Sequence, residues 1–215
     1  MDEALLQRLD PALLQDAILR VTGTRSHQCA ATRPRPMGHV ATVTGRVSTM
    51  RLSHVGKGRG DGRHKVMSSY DELPAGCILA LQVLGDPGGG VIGDLVAHRL
   101  VRIGVLGAVV DGPVRDVGGI LDCGFHVWAR EVTLRGMSAD ELRVEIGCPV
   151  EIDGVTFHDG DLASAGRDGV CVVPADKVAE VLDAARVILA EEEDAHKKIG
   201  QGRTILQAYP TIRAS

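Results

Sequence analysis

The sequence predicts a single α/β domain, residues 1–215, built on a sheet that contains parallel strands. Its apolar run CILALQV (77–83) is followed by a short amphipathic helix and a second buried run, VLGAVV (105–110), in the order of a β-α-β unit. Aromatic residues make up only 2% of the chain, so the core must consist of Val, Ile, Leu and Ala, which suit a buried sheet. One long segment, about 174–200, predicts a C-terminal helix.

Two short helices are predicted to open the chain. Residues 2–22 carry apolar side chains at helical spacing, which Pro11 interrupts, and Gly23 is placed to end the second helix. A polar, proline-rich crossing follows over 24–38. The alternating segment HVATVTGRVSTMRL (39–52) then predicts one or two strands.

The remaining elements are shorter, apart from the last. Short helices are predicted in 65–73 and over 117–123, and a strand over 125–131. Glycine turns divide 144–174 into several short strands. The last helix enters through Pro174 and would be about 40 Å long at 1.5 Å per residue. That length predicts that it packs on a neighbouring subunit.

The charge balance argues against nucleic acid as a partner. The net charge is −4 at pH 7, whereas proteins that neutralise phosphates present a basic face. The one basic cluster is GKGRGDGRHK (56–65). Its glycines favour a mobile, solvated loop, and the alternative is a lid or a contact for an anionic substrate.

Cysteine usage and hydropathy predict a cytoplasmic protein. The cysteines are odd in number and lack paired spacing, and four of them lie in or beside apolar runs, which is typical of core residues in a reducing compartment. No stretch approaches 18 apolar residues, and the acidic start MDEALLQRLD does not resemble a signal peptide, so no membrane partner is expected. The five are Cys29, Cys77, Cys123, Cys148 and Cys171.

The candidate functional residues are Asp94 and, after twenty further residues, Arg115 and Asp116. Asp94 follows a glycine-rich turn, and the Arg115-Asp116 pair follows the second strand of the β-α-β unit. Open α/β sheets bind ligands in the crevice at the carboxyl ends of parallel strands. The spacing therefore predicts that two acids and one cation meet in that crevice.

These three side chains suit the chemistry of a 2-oxo acid. The planar guanidinium of Arg115 matches a carboxylate. A single carboxylate such as Asp116 can hold Mg²⁺ or Mn²⁺ if water and the substrate supply the other ligands. Asp94 across the crevice can act as the base, directly or through a held water. The competing interpretation is that Asp94 merely charges a helix N-terminus and that the pair is a surface turn.

A second interpretation is a dinucleotide-binding fold. Gly88, Gly90 and Gly93 match G-x-G-x-x-G, and Asp111 is expected to end the next strand, where a ribose-binding acid would stand. Against this, residues 84–87 intervene between the strand and the glycines. The carboxylate of Asp94 would also oppose a pyrophosphate at that helix N-terminus.

The motifs together resemble those of the 4-hydroxy-4-methyl-2-oxoglutarate aldolases, class II pyruvate aldolases related to the ribonuclease E activity regulator A proteins. The family signature G-D/E-L, twenty residues, R-D is matched by Gly93-Asp94-Leu95 and Arg115-Asp116. The similarity extends over nearly the whole chain. It includes LLQDAI (13–18), GHVATV (38–43), LPAGCILALQV (73–83), GAVVDGPVRD (107–116) and DGDLASAGRDGVCVVP (159–174).

The resemblance implies a swivelling β/β/α fold, assembled as a homotrimer or homohexamer with its sites at subunit interfaces. In the site it implies that Arg115 binds the 2-oxo acid and that Asp116 holds Mg²⁺ or Mn²⁺. It further implies that Asp94 positions a catalytic water. Substrate contacts are expected at Gly93 and at the backbone amides of Leu95 and Val96. A glutamate from the neighbouring subunit's C-terminal helix is expected too, with Glu192 as the candidate.

The resemblance also implies the activity. A 4-hydroxy-2-oxo acid would be cleaved to pyruvate by a retro-aldol reaction, with oxaloacetate decarboxylation as a side activity. The alternative is a non-catalytic regulator that binds an RNA-degrading endonuclease, a branch that tends to lose the arginine-aspartate pair. Departures from the family pattern leave the second half of the substrate open. They are Gly166, Asp159, Glu131 and the loop 56–62.

Overall fold

The computed structural model describes residues 3–24, 29–30 and 33–209. It confirms a mixed α/β fold with a curled sheet and a long C-terminal helix. The helices are α1 (Glu3–Leu6), α2 (Pro11–Thr22), α3 (Gly62–Asp71), α4 (Asp94–Arg102), α5 (Val117–Asp122), α6 (Val178–Gly200) and α7 (Ile205–Ala208). The strands are β1 (Cys29–Ala30), β2 (Arg35–Pro36), β3 (Val43–His54), β4 (Cys77–Leu84), β5 (Gly107–Val114), β6 (His126–Val132), β7 (Leu142–Ile146), β8 (Val150–Ile152), β9 (Val155–Phe157), β10 (Leu162–Ala165) and β11 (Val170–Val173).

Nine of the described strands form one sheet: eight follow the order β1-β11-β10-β3-β4-β5-β6-β2, and β7 joins it by pairing with β3. The central strands β3, β4, β5 and β6 are parallel to one another. One edge of β3 pairs with β10 along its first half and with β7 along its second half, both antiparallel. The strands β8 and β9 form a separate hairpin. The predicted β-α-β unit is therefore the parallel centre of the sheet.

Strand β5 is longer than the sequence predicts. The apolar run ends at Val110, but the strand continues to Val114, because pairing with β6 resumes after a register shift between Val110 and Pro113. Gly112 lies inside this extension, and a β-carbon there would lie 2.6 Å from a methyl group of Val83. Residues 111–114 are thus part of the strand, and Gly112 is the residue that fits beside Val83 because it has no side chain.

Buried apolar residues form three clusters, each of which includes residues of the sheet. Helices α3, α4 and α5 contribute to a core on one face, with buried residues such as Val66, Leu100 and Ile120. The hairpin β8–β9 contributes Ile152 and Phe157 to a second core. Helices α1, α2 and α6 form a third core with β10 and β11. The N-terminal helices therefore have a partner that the sequence pattern did not identify.

The N-terminal helices agree with the prediction. The carboxylate of Asp10 accepts a hydrogen bond from the Leu13 N–H at 2.8 Å, which caps the start of α2. Gly23 adopts the left-handed conformation, with φ of 69°, and its N–H donates to the Leu19 carbonyl. The predicted crossing at 24–38 lies partly outside the described residues.

Helix α6 contains 23 residues, or about 35 Å. It begins four residues after Pro174, and its buried side chains in the first turns pack with α2 of the same chain. Two ion pairs join its later turns to the N-terminal segment: Arg20 of α2 pairs with Glu191, and Arg8, between α1 and α2, pairs with Glu193. Packing of α6 on a neighbouring subunit stays a prediction.

The cysteines and the helices can be compared with the sequence expectations. Cys77 and Cys171 are buried, and Cys123 and Cys148 are half-buried, as expected of core residues. The side chain of Cys29 lies outside the described residues. Among the helices that the structure describes, none combines the length and the apolar character needed to cross a bilayer.

Tyr70 joins α3 to the loop that precedes α4. Its fully buried hydroxyl donates a hydrogen bond to the Val91 carbonyl at 2.9 Å. Burial raises the pKa of this phenol, so it stays protonated and remains a donor.

We predict that Tyr70→Phe lowers the free energy of unfolding by about 1–3 kcal/mol, because it leaves the buried Val91 carbonyl without its phenol donor. Urea denaturation measures this change. Ser68→Ala is the control, since the Ser68 hydroxyl bonds to Lys65 on the exposed surface of the same helix. It should change stability by less than about 0.5 kcal/mol. Equal effects of the two substitutions would contradict the role of Tyr70.

Candidate active site

The fold brings the predicted residues to one edge of the sheet. Strand β4 ends at Leu84, and the loop 85–93 leads from it to α4, which begins at Asp94. The neighbouring parallel strand β5 ends at Val114, directly before Arg115 and Asp116. A cavity of about 220 Å³ lies at this edge. Its lining includes Gly93, Asp94, Leu95, Val96 and Arg115.

Backbone contacts hold the loop 85–93 against the end of β5. The Val91 N–H donates to the Pro113 carbonyl at 2.9 Å, and the Arg115 N–H donates to the Ile92 carbonyl at 3.0 Å. Gly90 comes so close that a β-carbon on it would lie 2.8 Å from the backbone nitrogen of Arg115. This glycine is therefore required by the packing of two backbones, which positions Arg115.

Arg115 and Asp116 form an ion pair with each other. The Arg115 Nε lies 3.1 Å from the Asp116 Oδ2, and the two side chains are 38% and 43% exposed. Asp116 adopts the left-handed conformation, with φ of 54° and ψ of 41°, which aspartate tolerates better than most residues. A β-carbon at Gly93 would lie 3.1 Å from Asp116 Oδ2 and 3.2 Å from Arg115 Nε. The bare glycine thus leaves space at the pair.

Asp94 lies at the start of α4 and is half-buried. Its Oδ1 accepts a hydrogen bond from the N–H of Leu95 at 2.8 Å. The Leu95 amide, which the family resemblance assigns to the substrate, is therefore already bonded in this structure. No acceptor for the Val96 N–H is found among residues 3–24, 29–30 and 33–209. Val96 consequently offers the open amide at this helix end.

The sequence did not identify the other residues that line the cavity. They include Met67, Met137, Ala139 and Arg63. Arg63 belongs to the basic run 56–65, for which an anionic contact was one of two interpretations. The only signal in the sequence was therefore the charge of that run, which does not show where it folds.

The dinucleotide interpretation does not match this geometry. Gly90 packs against the backbone of Arg115, and Asp94 occupies the helix start that a pyrophosphate would need. The expectation that Asp111 ends its strand is wrong, because β5 continues past it, and Asp111 forms an ion pair with Arg130. Burial raises the pKa of Asp111, and Arg130 opposes that shift.

A larger cavity, of about 590 Å³, lies beside the first. Residues 85–89, 111–113, 130–133 and 135 contribute to its lining, and none of the residues predicted for the 2-oxo acid site does. We place the candidate site in the smaller cavity because the smaller one contains Arg115, the open end of α4 and Asp94.

Glu192 does not reach this site within one chain. It lies on α6 and lines a different cavity, together with His196 and Tyr209. Burial raises the pKa of Glu192, and the carboxylates of Asp10 and Asp16 add to the effect. A role for Glu192 in catalysis would require a neighbouring subunit and stays a prediction.

The described residues contain no cluster of three or more His, Cys, Asp or Glu side chains placed to hold a metal ion. The candidate site contains the carboxylates of Asp94 and Asp116. Asp94 packs against Gly119 and already accepts the N–H of Leu95, so Asp116 is the candidate metal ligand. This donor set matches a hydrated Mg²⁺ that takes most of its ligands from solvent and substrate, and it does not match a closed protein cage.

Comparison with known proteins assigns the chain to a family. The model of the RraA-like family, described as Aldolase/RraA, matches residues 11–172. The chain belongs to the RraA-like family. This match covers the β-α-β unit together with Asp94, Arg115 and Asp116.

Individual relatives of this chain carry different names. The chain is 26% identical over 175 residues to a Halalkalibacterium halodurans protein named "Putative 4-hydroxy-4-methyl-2-oxoglutarate aldolase", covering 81% of this chain and 80% of that protein. It is 30% identical over 150 residues to protein DlpA of Legionella pneumophila, which covers 70% of this chain but only 24% of DlpA. This chain thus matches about a quarter of DlpA.

Solved structures agree with the RraA-like fold. An uncharacterized protein from Pseudomonas syringae pv. tomato has a TM-score of 0.79 at 24% identity, with 98% of this chain and 95% of that chain covered. RraAS2 of Streptomyces coelicolor, described as an unusual member of the RNase ES inhibitor RraA protein family, has a TM-score of 0.76 at 28% identity, with 91% and 96% covered.

We predict that Gly90→Ala destabilises the protein by about 1–3 kcal/mol, because its methyl group would meet the Arg115 and Val114 backbone at 2.8 Å. The midpoint of chemical denaturation measures the effect. Gly118→Ala is the matched control, since a β-carbon at Gly118 meets nothing within 4 Å. That helical substitution should be neutral or stabilise the protein by up to about 1 kcal/mol. A neutral Gly90→Ala would contradict the proposed backbone packing.

Proposed function

We propose that this RraA-like protein is a divalent-metal-dependent lyase that cleaves a 4-hydroxy-2-oxo acid to pyruvate, with oxaloacetate decarboxylation as a side activity. The observation that carries the proposal is the Arg115–Asp116 pair, held at 3.1 Å on the edge of a small cavity that Asp94 also lines. The name of the Halalkalibacterium relative supports the same activity.

Arg115 is proposed to bind the 2-oxo acid. Its guanidinium is partly exposed, and its backbone is fixed by the hydrogen bond to Ile92. A planar guanidinium can donate two parallel hydrogen bonds to a carboxylate. The Val96 N–H at the start of α4 can donate another. Gly93 keeps the space between these groups open.

Asp116 is proposed to hold Mg²⁺ or Mn²⁺, because its carboxylate is 43% exposed and the donor set suits a hydrated cation. When bound, such an ion supplies positive charge that stabilises the enolate oxygen of the product. Arg115 contributes a second positive charge from the protein itself. Cleavage of the substrate leaves a negative charge on the enolate, and both positive charges stabilise it.

Asp94 is proposed to act as the base, directly or through a held water. It removes the proton of the C4 hydroxyl, whose oxygen then forms a carbonyl as the C3–C4 bond breaks. The electrons of that bond move to the C2 ketone and give the enolate of pyruvate. Protonation at C3 then yields pyruvate. Loss of CO₂ from oxaloacetate produces the same enolate.

A second candidate function is regulation of an RNA-degrading endonuclease. RraAS2 and the RNA-processing inhibitor RraA of Thermus, with a TM-score of 0.55 at 25% identity, are named for such a role. The sequence retains the Arg115–Asp116 pair, which favours the enzyme. A homotrimer or homohexamer, and a cytoplasmic location, remain part of the proposal.

One assay separates these two functions. Purified protein is given Mg²⁺ and a panel of 4-hydroxy-2-oxo acids and oxaloacetate, and release of pyruvate is followed with a coupled dehydrogenase. We expect pyruvate release that a chelator abolishes. Silence on every substrate, together with tight binding to an endonuclease, would reject the lyase in favour of the regulator.

We predict that Asp116→Ala abolishes metal-dependent turnover, because it removes the carboxylate that is proposed to hold the ion. The rate of pyruvate release is measured as a function of Mg²⁺ concentration. Asp122→Ala, an exposed carboxylate at the other end of α5, should keep the wild-type rate. Near-full activity of Asp116→Ala would show that the metal is held elsewhere.

We predict that Arg115→Ala raises KM and lowers kcat, and reduces kcat/KM by about 10²–10³, as expected when a charged donor to the reacting group is lost. Steady-state kinetics of pyruvate release measure both constants. Arg102→Ala, at the exposed end of α4, is the control and should leave both unchanged. Wild-type kinetics of Arg115→Ala would show that Arg115 does not bind the substrate.

A further inference from the structure

The cavity of the candidate site has a second guanidinium. Arg63, the second residue of α3, lines it together with Arg115, and Asp94 is the carboxylate in the same lining. No ion pair of Arg63 is found within the described part of the chain. The mechanism above uses Arg115 and leaves Arg63 without a function.

Arg63 is held at the cavity by the chain around it. Its N–H donates to the Asp140 Oδ1 at 3.2 Å. The backbone is also fixed two and three residues earlier, since the Gly60 and Asp61 N–H groups donate to the carbonyls of Asp140 and Leu142. A β-carbon at Gly60 would lie 2.5 Å from the Asp140 carbonyl oxygen. The end of the basic run is therefore packed in place.

Apolar side chains complete the lining of the cavity. Met67, Met137 and Ala139 line the cavity along with Arg63 and Arg115. A ligand that fills about 220 Å³ is a small metabolite. Its carbon chain suits the methionine side chains, while one negative charge would match Arg115 and a second would match Arg63.

We propose that Arg63 is a specificity-determining residue that binds a second carboxylate, at the end of the substrate away from the 2-oxo group. This inference rests on the proposed function only in placing a 2-oxo acid at Arg115. The substrate is then a dicarboxylate, and a 2-oxo acid with an apolar tail binds more weakly. Removing a charge-assisted contact of this kind weakens binding by about tenfold.

The test compares two ligands of equal chain length, 2-oxoglutarate and 2-oxopentanoate, which carry a carboxylate or a methyl group at the far end. Their dissociation constants are measured by calorimetry in the presence of Mg²⁺. The wild-type protein should bind 2-oxoglutarate about tenfold more tightly. Arg63→Gln should remove this preference by weakening 2-oxoglutarate alone. Arg63→Lys, which keeps the charge but not the planar fork, should keep part of it.

Arg59→Gln is the matched control. Arg59 belongs to the same basic run and is exposed, and it does not line the cavity. This substitution changes the net charge by the same amount and should leave the preference intact. An equal loss in Arg59→Gln and Arg63→Gln would mean a general field effect and would overturn the assignment. A preference that survives in Arg63→Gln would overturn it too.

The ligand pair also separates this inference from the proposed function. If the wild-type protein binds the two ligands equally, the Arg63 site is wrong and the 2-oxo acid site at Arg115 stands. If it binds neither, both are wrong. Because binding is measured without turnover, a variant that is merely slow in catalysis does not imitate either result.

Discussion

The site depends on the close packing of two backbones, the loop 85–93 and the end of β5. Hydrogen bonds from Val91 to Pro113 and from Arg115 to Ile92 join them, and Gly90 permits the distance. Because the loop also begins α4, the same contact sets Asp94 and Arg115 relative to each other. The buried bond from Tyr70 to Val91 adds α3 to this arrangement. One local packing constraint thus positions groups from three elements.

The electrostatics of the site follow from this packing. Arg115 and Asp116 neutralise each other at the cavity edge, while Asp94 bonds to the amide of Leu95. Both members of the pair remain partly exposed, so a ligand can compete for them without a buried charge being left unpaired. Arg63, which lines the same cavity, has no ion pair among the described residues. The cavity therefore combines charged groups with the apolar side chains of Met67 and Met137, which suits a small anionic metabolite with a carbon chain.

Much of the fold was predictable because it is encoded in local patterns. Apolar runs that are buried on both faces identified β4 and the start of β5, and Asp10, Pro11 and Gly23 identified α2. The predictions failed where neighbours decide the outcome. Strand β5 extends to Val114 because β6 pairs with it, which moves Asp111 inside the strand. The run 56–65 is exposed at Lys57, Arg59 and Arg63, as its composition predicts, but its backbone at 60–61 is fixed by carbonyls of residues 140 and 142, which are far away in sequence.

The sequence by itself determined the chemistry available to this protein, which consists of one arginine, two aspartates and the glycines that leave room for them. It also determined the order of strand, helix and strand that takes them to one sheet edge, since hydrophobic periodicity is a local property. Only the tertiary structure decided that Arg63 and the methionines complete the cavity, and that Glu192 lies elsewhere within the chain. Those placements depend on contacts between segments distant in sequence, whose energies no local pattern contains.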